Sequence, residues 1–70
     1  MIVKLKIKEI REGLMISLEE LSKETGIEKE RLEKVEDNVD EILFIEMLII
    51  AKSLGKNITD LYVANDVKIQ

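Results

Sequence analysis

The chain opens on an alternation of apolar and basic residues. In "MIVKLKIK", Leu5 and Ile7 are interleaved with Lys4, Lys6 and Lys8 behind the β-branched Ile2. Period-two spacing of this kind predicts a short strand. The rhythm then lengthens: Ile7, Ile10 and Leu14 fall at helical spacing, which predicts a first helix from about Leu5 or Ile7 to Gly13. Ser17 opens a second helix, because "SLEE" sets Glu20 three residues behind it as a capping box. Leu18, Leu21 and Thr25 share one face of that helix, and Gly26 ends it. A third helix follows from about Glu28 to Glu36, with Ile27, Leu32 and Val35 inward and a poor N-cap. "EDNVDE" reads as a turn in which Asn38 is suited to a left-handed backbone. A fourth helix is expected from about Ile42 to Leu54, stopping at Gly55. "KNITD" starts a short fifth one, capped by Asn57 or Thr59. After Asn65 and Asp66, the alternation of Val67, Lys68 and Ile69 resembles a second strand able to pair with the first.

Composition narrows the chemistry. Seventy residues make one domain, 1–70, near the lower limit for a self-supporting core. With 46% apolar and 37% charged residues, no proline, and Phe44 and Tyr62 as the aromatics, the chain is globular, helical and built on aliphatic side chains. It has no cysteine and no histidine, so disulfides, thiolate chemistry, Ser-His-Asp designs and the commonest metal ligands are excluded. Ser17, Ser22 and Ser53 lack a base, and the acidic group Glu36, Asp37, Asp40 and Glu41 lacks calcium-loop spacing and reads as a solvated turn. The expectations are no enzyme and no cofactor. The longest apolar run, "ILFIEMLIIA", is broken by Glu46 and too short for a membrane, so a cytoplasmic protein is expected. The net charge of −4 speaks against a polyanionic partner.

Two helices joined through Gly26, at about 17–36, nevertheless form a helix-turn-helix pattern, the geometry that projects a helix into a DNA groove. Around it, "IKEIRE", "SLEELSKETGI", "VEDN", "IAKSLG" and "NITDLY" match family positions without a gap. On these motifs the stretch from Ile7 to Tyr62 resembles the Cro/repressor-type helix-turn-helix family, also called XRE. The resemblance implies an all-α, five-helix, lambda-repressor-like fold, to which the alternation at the two chain ends can add a short two-stranded terminal sheet. It also implies sequence-specific binding of double-stranded DNA in transcription, typically as a homodimer.

Carried over residue by residue, the resemblance places phosphate contact at Ser17. It puts the outward row of the reading helix on Glu28, Lys29, Glu30, Glu33 and Lys34. DNA contacts are expected from Ser17, Lys29, Glu30, Arg31, Glu33, Lys34 and Asn38. Lys29 and Lys34 are donors to guanine or phosphate; Glu30 and Glu33 at best accept from cytosine N4. The pattern departs from the family at Leu18, where a Gln is common, and at Asp40 and Glu41, where basic residues follow the helix. A basic run of Lys4, Lys6, Lys8 and Arg11 is either an exposed face or a set of flanking phosphate contacts. The competing reading makes the glutamates a solvated face, with Lys29–Glu33 and Glu30–Lys34 pairs giving about 0.2–0.5 kcal/mol each. The fold would then serve as a protein-interaction module.

Helix 4 is apolar nearly all round. At ~100° per residue, Phe44, Met47, Leu48, Ala51 and Leu54 form the expected core face, and Ile42, Ile45 and Ile49 lie opposite. Either the terminal strands fold over that second face, or Ile42, Ile45 and Ile49 meet their mates in a homodimer; a partner contact is the expectation, since so short a chain has little core to spare.

Overall fold

The structure, a computed structural model, describes residues 2–65. A strand, β1 (Ile2–Leu5), leads into four helices: α1 (Ile7–Gly13), α2 (Leu18–Thr25), α3 (Lys29–Val35) and α4 (Phe44–Leu54). A 3-10 helix (Ile58–Leu61) and a second strand, β2 (Tyr62–Ala64), complete the order. Leu5, Ile7, Leu21, Leu32, Met47, Ile50, Ala51, Leu54 and Leu61 form one buried cluster that all the helices enclose.

Local chemistry explains most boundaries. The Ser17 hydroxyl accepts the Glu20 N–H at 3.0 Å, and a Glu20 carboxylate oxygen accepts the Ser17 N–H at 3.1 Å, so the expected capping box starts α2. Gly26 ends it at φ 76° and Gly55 ends α4 at φ 68°, a left-handed backbone that costs an L-residue about 1–2 kcal/mol. The predicted fifth helix is only a 3-10 turn. Four residues separate Asn57, whose N–H donates to Asp60 Oδ2 at 3.0 Å, from the strand that follows, too few for a stable α-turn.

Four other expectations are corrected. The strand pairing antiparallel with β1 is Tyr62–Ala64, in register Leu5 to Tyr62, Lys4 to Val63 and Ile2 to Ala64. It follows directly on the 3-10 helix, whose Leu61 carbonyl accepts the Lys6 N–H at 2.7 Å and brings the two ends alongside. The strand expected at Val67–Ile69 lies outside the described residues. Asn38 is not left-handed: its Oδ1 accepts the Asp40 N–H at 3.2 Å, so the side chain makes the turn that the backbone was expected to make. Among the described residues, the non-glycine residue with positive φ is Met15, at 59°. Glu36 does not belong to a solvated acidic turn but is 3% exposed.

The fourth correction concerns the rotation of α4, which begins at Phe44 rather than Ile42. Met47, Ile50, Ala51 and Leu54 are buried, together with Glu46, while Phe44 and Leu48 point outward with Ile45 and Ile49. Ile42 is half-buried against the core. Apolar pattern cannot orient a helix that is apolar on every side; Glu46 does so. Its carboxylate takes two hydrogen bonds from Arg31 of α3, at 2.8 and 2.9 Å, and one from the Leu43 N–H at 2.9 Å. Satisfying that carboxylate turns the Glu46 side of α4 inward and swings Phe44 and Leu48 into solvent.

Candidate nucleic-acid interface

Two side chains stitch the turn that aims α3 with three hydrogen bonds. The Ser22 hydroxyl donates to the Ile27 carbonyl at 2.6 Å. Thr25 Oγ1 donates to the Leu21 carbonyl at 2.7 Å and accepts the Ile27 N–H at 3.1 Å. Gly26 is left-handed between them and its N–H donates to the Ser22 carbonyl at 2.9 Å, so the end of α2 and the Ile27 backbone are held by local hydrogen bonds. Leu32 and Val35 are fully buried, which sets the opposite side of α3 outward. Lys29, Glu30, Glu33 and Lys34 are all exposed on that side, with Glu28 at its start.

Each exposed lysine of the row is already paired, and not within its own helix. Lys29 Nζ lies 3.1 Å from Glu19 of α2, and Lys34 Nζ lies 3.1 Å from Glu41 of the turn before α4. The expected Lys29–Glu33 and Glu30–Lys34 pairs are replaced by pairs that join neighbouring elements. The Lys29 ammonium is held above its ordinary pKa, chiefly by the hydrogen bond it donates to Glu19. The Glu19 carboxyl is held below its own by a backbone N–H and then by Lys29. Glu28, Glu30 and Glu33 form no ion pair among the described residues.

The remaining expected contacts behave differently. Arg31 is half-buried; besides Glu46 its guanidinium donates to the Glu41 carbonyl at 2.9 Å, and its pKa is raised by the Glu46 hydrogen bond. It braces α3 against α4 and is not in the outward row. Ser17 is exposed at the start of α2 with its hydroxyl committed to the cap, and Asn38 is half-buried in the turn. Of the basic N-terminal run, Arg11 is withdrawn from the surface. Its Nε lies 2.6 Å from Glu36 Oε2, its Nη2 3.2 Å from Oε1, and its Nη1 donates to the Ile16 carbonyl at 2.9 Å. That bidentate pair closes the C-terminal end of α3 onto α1 and holds the Arg11 guanidinium above its ordinary pKa.

Around α3, four carboxylates were missed as structural partners: Glu19, Glu36, Glu41 and Glu46. For Glu46 a signal existed, since a lone charge inside "ILFIEMLII" needs a partner if that helix packs on anything. Among the described residues no group of acidic side chains is arranged to hold a metal, and no helix is long and apolar enough to cross a membrane.

A helix-turn-helix whose second helix is braced at both ends and bare on its outer side defines the class. The family model described as "Helix-turn-helix" matches residues 7–61, and the chain belongs to that family, of the Cro/repressor type. It is a family of DNA-binding regulators. No curated protein and no solved structure matches the chain.

Proposed function

We propose that the protein is a transcriptional regulator that lays α3 in the major groove of duplex DNA as a homodimer. The uncovered outer side of α3, presented by a turn that Ser22 and Thr25 hold with three hydrogen bonds, carries this reading. Lys29 and Lys34 contact guanine or phosphate, Glu30 and Glu33 accept from cytosine N4, and the exposed α2 start at Ser17 faces a phosphate. Asn38 takes part from the turn after α3, and Arg31 acts by positioning α3 rather than by touching DNA.

The ion pairs set the energetics. Exposed pairs such as Lys29–Glu19 are weak, so a phosphate displaces the carboxylate at small cost. Yet each displaced glutamate stays close to the duplex, and binding is therefore weak and selective. In a selection from random duplexes, retention is expected at about 50 mM salt and largely lost at about 200 mM. Lys29→Ala and Lys34→Ala each lower the salt slope by about one.

The paired lysines and unpaired glutamates favour one second reading, a helix-turn-helix fold serving as a protein-interaction module. No duplex retained at the lower salt decides for it.

A further inference from the structure

At about 100° per residue, Phe44, Ile45, Leu48 and Ile49 share one side of α4 with Lys52, and the buried residues occupy the other. The four apolar side chains are 68, 56, 41 and 37% exposed, and Leu43 before them is 55% exposed. Taking roughly 200 Å² for a fully accessible large side chain, this is an apolar patch of roughly 500 Å², at the upper end of what a monomer exposes. Among the described residues, the other large exposed apolar side chains are Val3 and Val63 on the strands and Leu14 and Met15 in the loop after α1.

We infer that this patch is a two-fold interface with a second copy of the chain, in which the α4 helices cross antiparallel with Leu48 near the axis. The inference names the surface for the dimer proposed above and rests on that part of the reading. Self-pairing demands that a patch tolerate its own image. Between Phe44 and Ile49 the exposed side carries no charge, whereas the outer side of α3 would set glutamate against glutamate. Charge also fixes the direction. The exposed Lys52 lies one turn beyond Leu48 on the same side and makes no ion pair among the described residues. The exposed Asp37 and Asp40 precede the other end of the helix. An antiparallel crossing brings Lys52 toward the N-terminal end of the partner's helix, which the exposed Asp40 precedes by one turn's length of chain; a parallel one would oppose lysine to lysine. Two such patches bury roughly 1,000 Å², the lower bound for a specific interface. Ile42, packed on its own core, contributes little, and Phe44 and Leu48 take its place.

Sedimentation of the full chain over a wide concentration range tests this, with circular dichroism as the check on folding. The chain should form a dimer, and Leu48→Glu should weaken it ~100-fold with the helical spectrum unchanged. Lys52→Glu should weaken it several-fold, and Asp40→Lys with Lys52→Glu should restore it. Both sites are exposed, so this exchange decides the matter even if Leu48→Glu fails to fold. A chain that stays monomeric at its highest soluble concentration, an open-ended association, or an exchange without rescue overturns the inference. A dimer that retains no duplex leaves the interface standing and removes the DNA reading; a monomer that binds a half-site does the reverse.

Discussion

Arg11 and Glu36 offer the sharpest test of how this small domain is held together. Their side chains are 9% and 4% exposed, and three hydrogen bonds leave the guanidinium facing Glu36 and the Ile16 carbonyl. Arg11→Met keeps the aliphatic stem and removes the charge. The Glu36 carboxylate is then buried without a counterion, a change that costs about 3–5 kcal/mol. A domain of this length has roughly 4–10 kcal/mol of total stability, so the variant should be half unfolded or worse under mild conditions. Glu36→Leu strands the guanidinium in the same way and should cost a comparable amount. The double variant Arg11→Met/Glu36→Leu removes both desolvated charges and substitutes apolar contact. It should recover to within about 1 kcal/mol of the parent, or exceed it. Urea unfolding followed by far-ultraviolet circular dichroism reads all four states, and the coupling between the two sites should be about 3 kcal/mol or more. A double variant that loses the sum of the two single losses would refute the reasoning, as would an Arg11→Met variant that loses under about 1 kcal/mol.

The other predictions are briefer. The Glu46 carboxyl is held below its ordinary pKa, mainly by the Arg31 hydrogen bond and also by the Leu43 N–H, against the opposing effect of burial. A depressed carboxylate stabilises above its unfolded pKa, about 4.3, and that contribution is lost as pH falls through the folded value. Acid titration should therefore show a loss of stability below about pH 4.3 that is shallower in Glu46→Gln. Met15 holds a left-handed backbone while 89% exposed, so it recovers no burial for its strain. Met15→Gly should raise stability by about 0.5–1 kcal/mol, and an unchanged urea midpoint would contradict this. Gly26→Ala should cost about 1–2 kcal/mol, for conformational reasons alone, because an added Cβ would meet nothing within 4 Å. Glu30→Lys/Glu33→Lys should tighten binding to random duplex and steepen its salt dependence by about two, checked by anisotropy titration.

Much of the fold was legible because its signals are local. The Ser17–Glu20 box, Gly26, Gly55 and the 3.6-residue rhythm of Leu32 and Val35 each act within one turn of helix, and the structure has them where the pattern put them. What failed was non-local. The pairing of Tyr62–Ala64 with β1 is not legible, since its tie through Leu61 and Lys6 leaves no trace in the sequence. The rotation of α4 was misread because hydrophobicity is nearly uniform around it and the deciding contact, Arg31 to Glu46, spans fifteen residues. The same blindness affected the site. Lys29 and Lys34 are outward as expected, but their carboxylates come from α2 and from the turn before α4, and Arg31 and Arg11 were counted as surface cations.

The bracing of α3 has an evolutionary consequence. Buried Leu32 and Val35, the Ser22 and Thr25 stitches, Arg31 on Glu46 and Glu36 on Arg11 fasten the helix, and none of these residues belongs to the bare side. Positions 28, 29, 30, 33 and 34 can therefore drift toward a new target, or toward none, without unravelling the scaffold. Selection on the exposed row is uncoupled from selection on whether the molecule folds, and an acidic outer side can persist on α3 without cost to the scaffold.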